Sequence, residues 1–111
     1  MVSIDTFRKM ALSLPDTDEH PHFHLRAFRV RTKIFSTLHA ADNRVMLALS
    51  PADQYVYCQY DPAMFSPVPG AWGKKGSTFA DLRKVNTVIL RESLRAAYDY
   101  IAGKSARKPK K

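Results

Sequence analysis

The strongest constraint on the fold lies between Glu19 and Leu49, where four short strand-like segments follow one another with almost no chain between them. They are His20-Pro21-His22-Phe23-His24, Ala27-Phe28-Arg29-Val30, Lys33-Ile34-Phe35-Ser36-Thr37-Leu38 and Arg44-Val45-Met46-Leu47-Ala48-Leu49. β-branched and aromatic residues favour pleated structure, and turn signals at Arg31-Thr32 and Asp42-Asn43 separate the last three. A parallel crossover needs roughly a dozen connecting residues, so these segments can pair only as an antiparallel meander. The preceding stretch, Asp16 to Glu19, is acidic and reads as an exposed turn.

Helical patterns flank the meander. Ser3 stands before Ile4, Phe7, Met10, Ala11 and Leu14, a capped apolar stripe that predicts a helix over 3–14, closed by Pro15. Ser50-Pro51-Ala52-Asp53 combines a cap, a proline at the first helical position and an early acid, so a second helix should run to about Gln59 before Asp61-Pro62. Residues 62–76, rich in Pro and Gly, read as a structured loop, and Ser77 to Leu82 as a last strand. Asn86 or Thr87 then caps a helix with Leu90, Leu94, Ala97 and Ile101 on one face, ended by Gly103. The order is α-β-β-β-β-α-β-α. It implies an α+β domain over residues 1–103, with one antiparallel sheet of about five strands and helices packed on one face. Residues 104–111 read as a basic disordered tail.

Composition bounds the function. A chain of 111 residues holds one core, and 45% hydrophobic residues exclude a wholly disordered protein. No apolar run nears the roughly 20 residues of a membrane span, so no membrane partner is expected. The N-terminal residues lack a secretory pattern and Cys58 is the single cysteine, so a reducing cytoplasmic setting is the expectation. A monomer is also expected. The net charge is +8, but residues 104–111 carry five of the basic groups. A case for nucleic acid therefore rests on local clustering.

Two clusters stand out. Arg26, Arg29, Arg31 and Lys33 crowd one strand-turn-strand unit, with Arg29 and Arg31 alternating with Phe28 and Val30 and so placed opposite the core. Lys74, Lys75, Arg83 and Lys84 flank the last strand. If the two are neighbours in the sheet, they form one surface that neutralises phosphates. Trp72, in the loop Gly70 to Thr78, either plugs the edge of the core or meets a base by stacking. That loop lacks phosphate-loop mechanics, because its lysines precede the glycine and it leads into a strand.

His20, His22 and His24 alternate, so a strand would project all three from one face about 7 Å apart, a spacing on which imidazoles can hold a transition metal. Pro21 interrupts that strand and no carboxylate stands as a fourth ligand. The competing reading is the polar face of an edge strand, and no cofactor is expected. Cys58, among Tyr55, Tyr57 and Tyr60, has no local activating group and reads as a packed thiol. No acid-base pair is assembled, so an enzyme is not expected.

Three stretches in one order resemble the MmcQ/YjbR family of small bacterial proteins. They are Ala11-Leu12-Ser13-Leu14-Pro15, Phe28 through Leu38, and Phe65-Ser66-Pro67-Val68-Pro69-Gly70-Ala71-Trp72-Gly73-Lys74-Lys75-Gly76. The family often has Gly where Thr32 stands and an aromatic where Ser77 stands. The resemblance implies a CyaY-like α+β fold and DNA binding through a "double wing", with the wings by position at Phe28–Leu38 and Trp72–Leu82. A frataxin-like iron role does not carry over, since the first helix has only Asp5, opposed by Arg8 and Lys9. The resulting expectation is a non-enzymatic, sequence-tolerant nucleic-acid-binding domain, with DNA as partner. Arg29, Arg31, Lys33, Lys74, Lys75, Arg83 and Lys84 would meet phosphates and Trp72 would stack. The alternatives are a protein-interaction or small-ligand module, and a histidine-based metal binder.

Overall fold

The computed structural model describes residues 1–106. In chain order the elements are α1 (Ile4–Leu12), β1 (Thr17–His22), β2 (Leu25–Val30), β3 (Lys33–His39), β4 (Arg44–Ala48), α2 (Pro51–Tyr60), β5 (Phe65–Pro67), α3 (Ala71–Lys74), β6 (Ser77–Asp81) and α4 (Thr87–Ala106). Local chemistry sets the helix starts. Ser3 Oγ accepts from Thr6 N–H, Ser50 Oγ from Asp53 N–H ahead of Pro51, and Asn86 Oδ1 from Ile89 N–H, each satisfying an amide the first turn leaves without a partner.

The strands form one antiparallel sheet in the order β1-β2-β3-β4-β6-β5. Directly paired residues share a face, so Phe28, Val30, Val45, Leu47 and Ala80 turn together toward the helices. Phe7 of α1 meets Phe28 edge-on at 5.3 Å, and Tyr98 of α4 meets Phe35 at 5.5 Å. Leu90, Leu94 and Ala97 complete the α4 side of this core, which is fully withdrawn from water. Tyr98 Oη donates to Pro15 O at 2.6 Å and ties α4 to the end of α1. Between β2 and β3 the register steps from Phe28–Ser36 to Arg29–Ile34, so Phe35 is the extra residue of a bulge. The opposite face of the sheet carries Arg29, Ile34, Thr37, Met46 and Phe79.

Four expectations change. The acidic run is a turn only at Asp16, where φ is 62°: Asp18 and Glu19 lie within β1, opposite Arg29 and Phe28. The sheet has six strands, because the Pro/Gly-rich stretch holds both the three-residue β5, on an edge where Pro67 needs no ladder donor, and α3. Helix α4 passes through Gly103 to Ala106, since a helical glycine weakens a helix without ending it. The expected tail therefore begins inside α4 at Lys104, and residues 107–111 lie outside the described residues.

Candidate nucleic-acid interface

Strand register decides which cations are free. Arg29 sits opposite Asp18 and grips it through two N–H groups, at 2.8 and 3.0 Å. The hydrogen bonds from Arg29 hold the Asp18 carboxyl below its ordinary value and raise the guanidinium in turn. Arg31, in the β2–β3 turn, lies 3.5 Å from Asp16, and Arg26 shares Glu19 with Arg8 of α1. Arg83 faces Asp81 at 3.3 Å. Arg29, Arg31 and Arg83 are thus each partnered by a carboxylate. Among the described residues no lysine is in an ion pair, so Lys33, Lys74, Lys75 and Lys84 keep their charge open to an outside anion.

Topology then sorts them. β2 and β6 are not neighbours: β3 and β4 lie between, about 14 Å at ordinary strand spacing. The clusters do not merge in the way adjacent strands would allow. Along the strands, the start of β3 and the start of β6 are at the same end, because β4 is antiparallel to both. That end gathers Lys33, Trp72, Lys74 and Lys75, while Arg83 and Lys84 follow the far end of β6, about 17 Å away for five residues.

Helix α3 presents the tryptophan. Gln54 Nε2 of α2 donates to Gly73 O at 2.8 Å and Ser77 O at 3.0 Å, bracketing the segment. Gly73 packs so close to Val68 that a Cβ would stand 1.7 Å from its carbonyl oxygen. The backbone is fixed, yet Trp72 is 68% exposed, so it is no plug for the core. Lys75 Nζ lies 5.3 Å from its ring centroid, within cation–π range.

Beside Trp72 a groove of about 500 Å³ runs over the sheet face opposite the core. Met46 and Phe79 line it, and its rim is shared by Trp72 with Lys75 and by Tyr100 with Lys104 from the last turns of α4. Phe79 is held by Arg44, whose guanidinium is 3.8 Å from the ring centroid, and by the His39 ring at 5.3 Å. Burial, with Arg44 nearby, pushes the His39 imidazole below its ordinary 6.5 and so favours its neutral form. The sequence reading missed Tyr100, Phe79 and Lys104, because they meet only when α4 and β6 are placed.

The remaining candidates separate. His20 and His22 share a face of β1, but His24 lies beyond its end in the turn with Phe23. Among the described residues no group of three or more His, Cys, Asp or Glu side chains is arranged to hold a metal ion. Cys58 packs half-buried against the core, and burial raises its thiol pKa. No described helix is long and apolar enough to cross a membrane.

The family model described as YjbR matches residues 12–100. The chain belongs to the YjbR family. The crystal structure of Deinococcus radiodurans protein DR2400, described with the domain DUF419, superposes with a TM-score of 0.84 at 21% identity, covering 97% of this chain and 84% of that one. At that identity the likeness concerns the fold, and it agrees with the α+β architecture above. No curated protein matches the chain. In YjbR terms, the stretch from Phe65 to Gly76 that carried the resemblance is the one that builds β5, α3 and the exposed Trp72.

Proposed function

We propose that this YjbR-family chain is a non-enzymatic nucleic-acid-binding protein, binding through Trp72 and the unpaired lysines at one end of the sheet. The observation that carries this reading is the exposed Trp72 beside Lys74 and Lys75, with Lys33 at the same end and no carboxylate paired to any of them. An uncompensated cation releases counterions when it meets a phosphate, and an indole accepts any base face, so such a surface binds without reading sequence. The arginines of the β2–β3 hairpin contribute less, because a phosphate must first displace a carboxylate. Lys84 and Arg83, at the far end, are outside this binding surface.

Fluorescence anisotropy of labelled mixed-sequence DNA, single-stranded and duplex, across several salt concentrations tests the reading. Lys74→Gln/Lys75→Gln should weaken binding and lower the salt slope by about one for each phosphate no longer neutralised. Arg29→Ala/Arg31→Ala should change affinity by less than about twofold, as expected for charges already paired with carboxylates. A chain ending at Ala106 should keep most of the affinity. Absence of binding by the whole chain to either DNA form, or its complete loss on removing residues 107–111, would overturn the reading.

A further inference from the structure

The groove has a composition that the lysine cluster alone does not explain. Two aromatic–lysine pairs stand on its rim: Lys75 Nζ over Trp72 at 5.3 Å, and Lys104 Nζ over Tyr100 at 4.4 Å. They come from α3 with its C-cap Lys75 and from α4, which meet at the groove from different parts of the chain. The lining includes no Asp or Glu, and its interior is apolar, around Met46 and Phe79. Its volume of about 500 Å³ is that of a small-ligand site.

Such a lining asks for a ligand with a flat apolar body and negative charge at its edge, which describes a nucleotide. A base inside a duplex has both ring faces stacked and its edges paired, so it cannot enter; a base of a single strand can be splayed onto aromatic rings while its flanking phosphates stay outside. Resting on the nucleic-acid reading above, we infer that the chain is a single-strand binder: the groove receives an unstacked base between Trp72 and Tyr100, and Lys75 and Lys104 hold the phosphates on either side. Each lysine then exchanges a ring face for a phosphate oxygen, and the vacated ring meets the base. Beyond the rim pairs the polar side chains of the lining are His22, Thr37, His39 and Ser77, and Thr37 Oγ1 and His39 Nε2 already bond each other at 2.9 Å, which leaves too few free groups to specify one base, so the binding is sequence-tolerant.

Trp72 is the only tryptophan, so its own fluorescence reports the stack. The full chain is titrated with a mixed-sequence single strand, with the same sequence as duplex, and with free deoxynucleoside monophosphate. The single strand should bind at least tenfold more tightly than duplex and quench Trp72. Tyr100→Leu should lower single-strand affinity by roughly tenfold, the loss of one base stack, with little effect on duplex. Lys104→Gln should lower the single-strand salt slope by about one. Because Tyr100 is half-buried, Trp72→Ala on the exposed ring is the companion variant and, followed by anisotropy of labelled strands, should give the same selective loss. Duplex bound as tightly as single strand, or single-strand affinity untouched in Trp72→Ala, overturns the inference and leaves the lysine surface standing. Binding of the free nucleotide as tightly as the strand also overturns it. If neither form of DNA binds, both readings fall.

Discussion

Glu19 shows how a single residue links the layers. Its side chain is only 9% exposed, and Arg26 and Arg8 donate to its two oxygens at 2.8 and 2.9 Å, from β2 and from α1. Burial works to raise its pKa, but the two guanidiniums outweigh it and hold the carboxyl below its ordinary 4.5. A carboxyl whose pKa is depressed by folding contributes stability that is complete above its unfolded value and is lost as pH falls through its folded value. Urea denaturation should therefore show stability declining as pH drops below 4.5, with Glu19→Gln about 1 kcal/mol less stable at pH 7 and less sensitive to acid in that window. Equal acid sensitivity in both proteins would show that the cluster contributes nothing. At this scale the sequence revealed side-chain direction but not partnership. Alternation correctly put Arg29 opposite the core, whereas Asp18, eleven residues away, becomes its partner only through the β1–β2 register.

Elements with chemical punctuation at their start were legible there. Ser50-Pro51 and Asn86 mark helix starts because amides without an acceptor need a side-chain oxygen, and the structure uses those oxygens. β5 and α3 were not legible, since three or four residues hold no period and their shape comes from Val68 N–H donating to Ser77 O and Gln54 reaching across from α2. Gly103 misled for the opposite reason: glycine commonly follows a helix, but here α4 continues past it and a Cβ there would meet nothing within 4 Å. Gly103→Ala should therefore stabilise the protein, by about 0.5 kcal/mol, through reduced freedom of the unfolded chain. A lower melting midpoint in that variant would mean that glycine is required there, as at a true helix end. The extension bears on the site, because Lys104 lies in the turn it adds.

Over the whole molecule, the two kinds of cation have divided roles. Every ion pair among the described residues uses an arginine, whose planar fork suits a carboxylate, and the described lysines pair with none. Acetylating the lysines should then leave the unfolding midpoint nearly unchanged while abolishing nucleic-acid binding; a large loss of stability would show that the lysines hold the fold. The antiparallel meander and the layer of helices were legible from the short connections, but the order β4-β6-β5 was not, because no local signal says which strand takes the open edge of β4. That order also fixes a sequence of events in time. On a growing chain β1 to β4 can pair as they emerge, yet the edge of β4 must wait while Leu49 to Gly76 is synthesised, a few seconds at roughly 5–20 residues per second. Phe79 on β6 and Tyr100 on α4 arrive later still, so the groove closes only once Tyr100 has emerged, long after the hairpin arginines have been matched to their carboxylates.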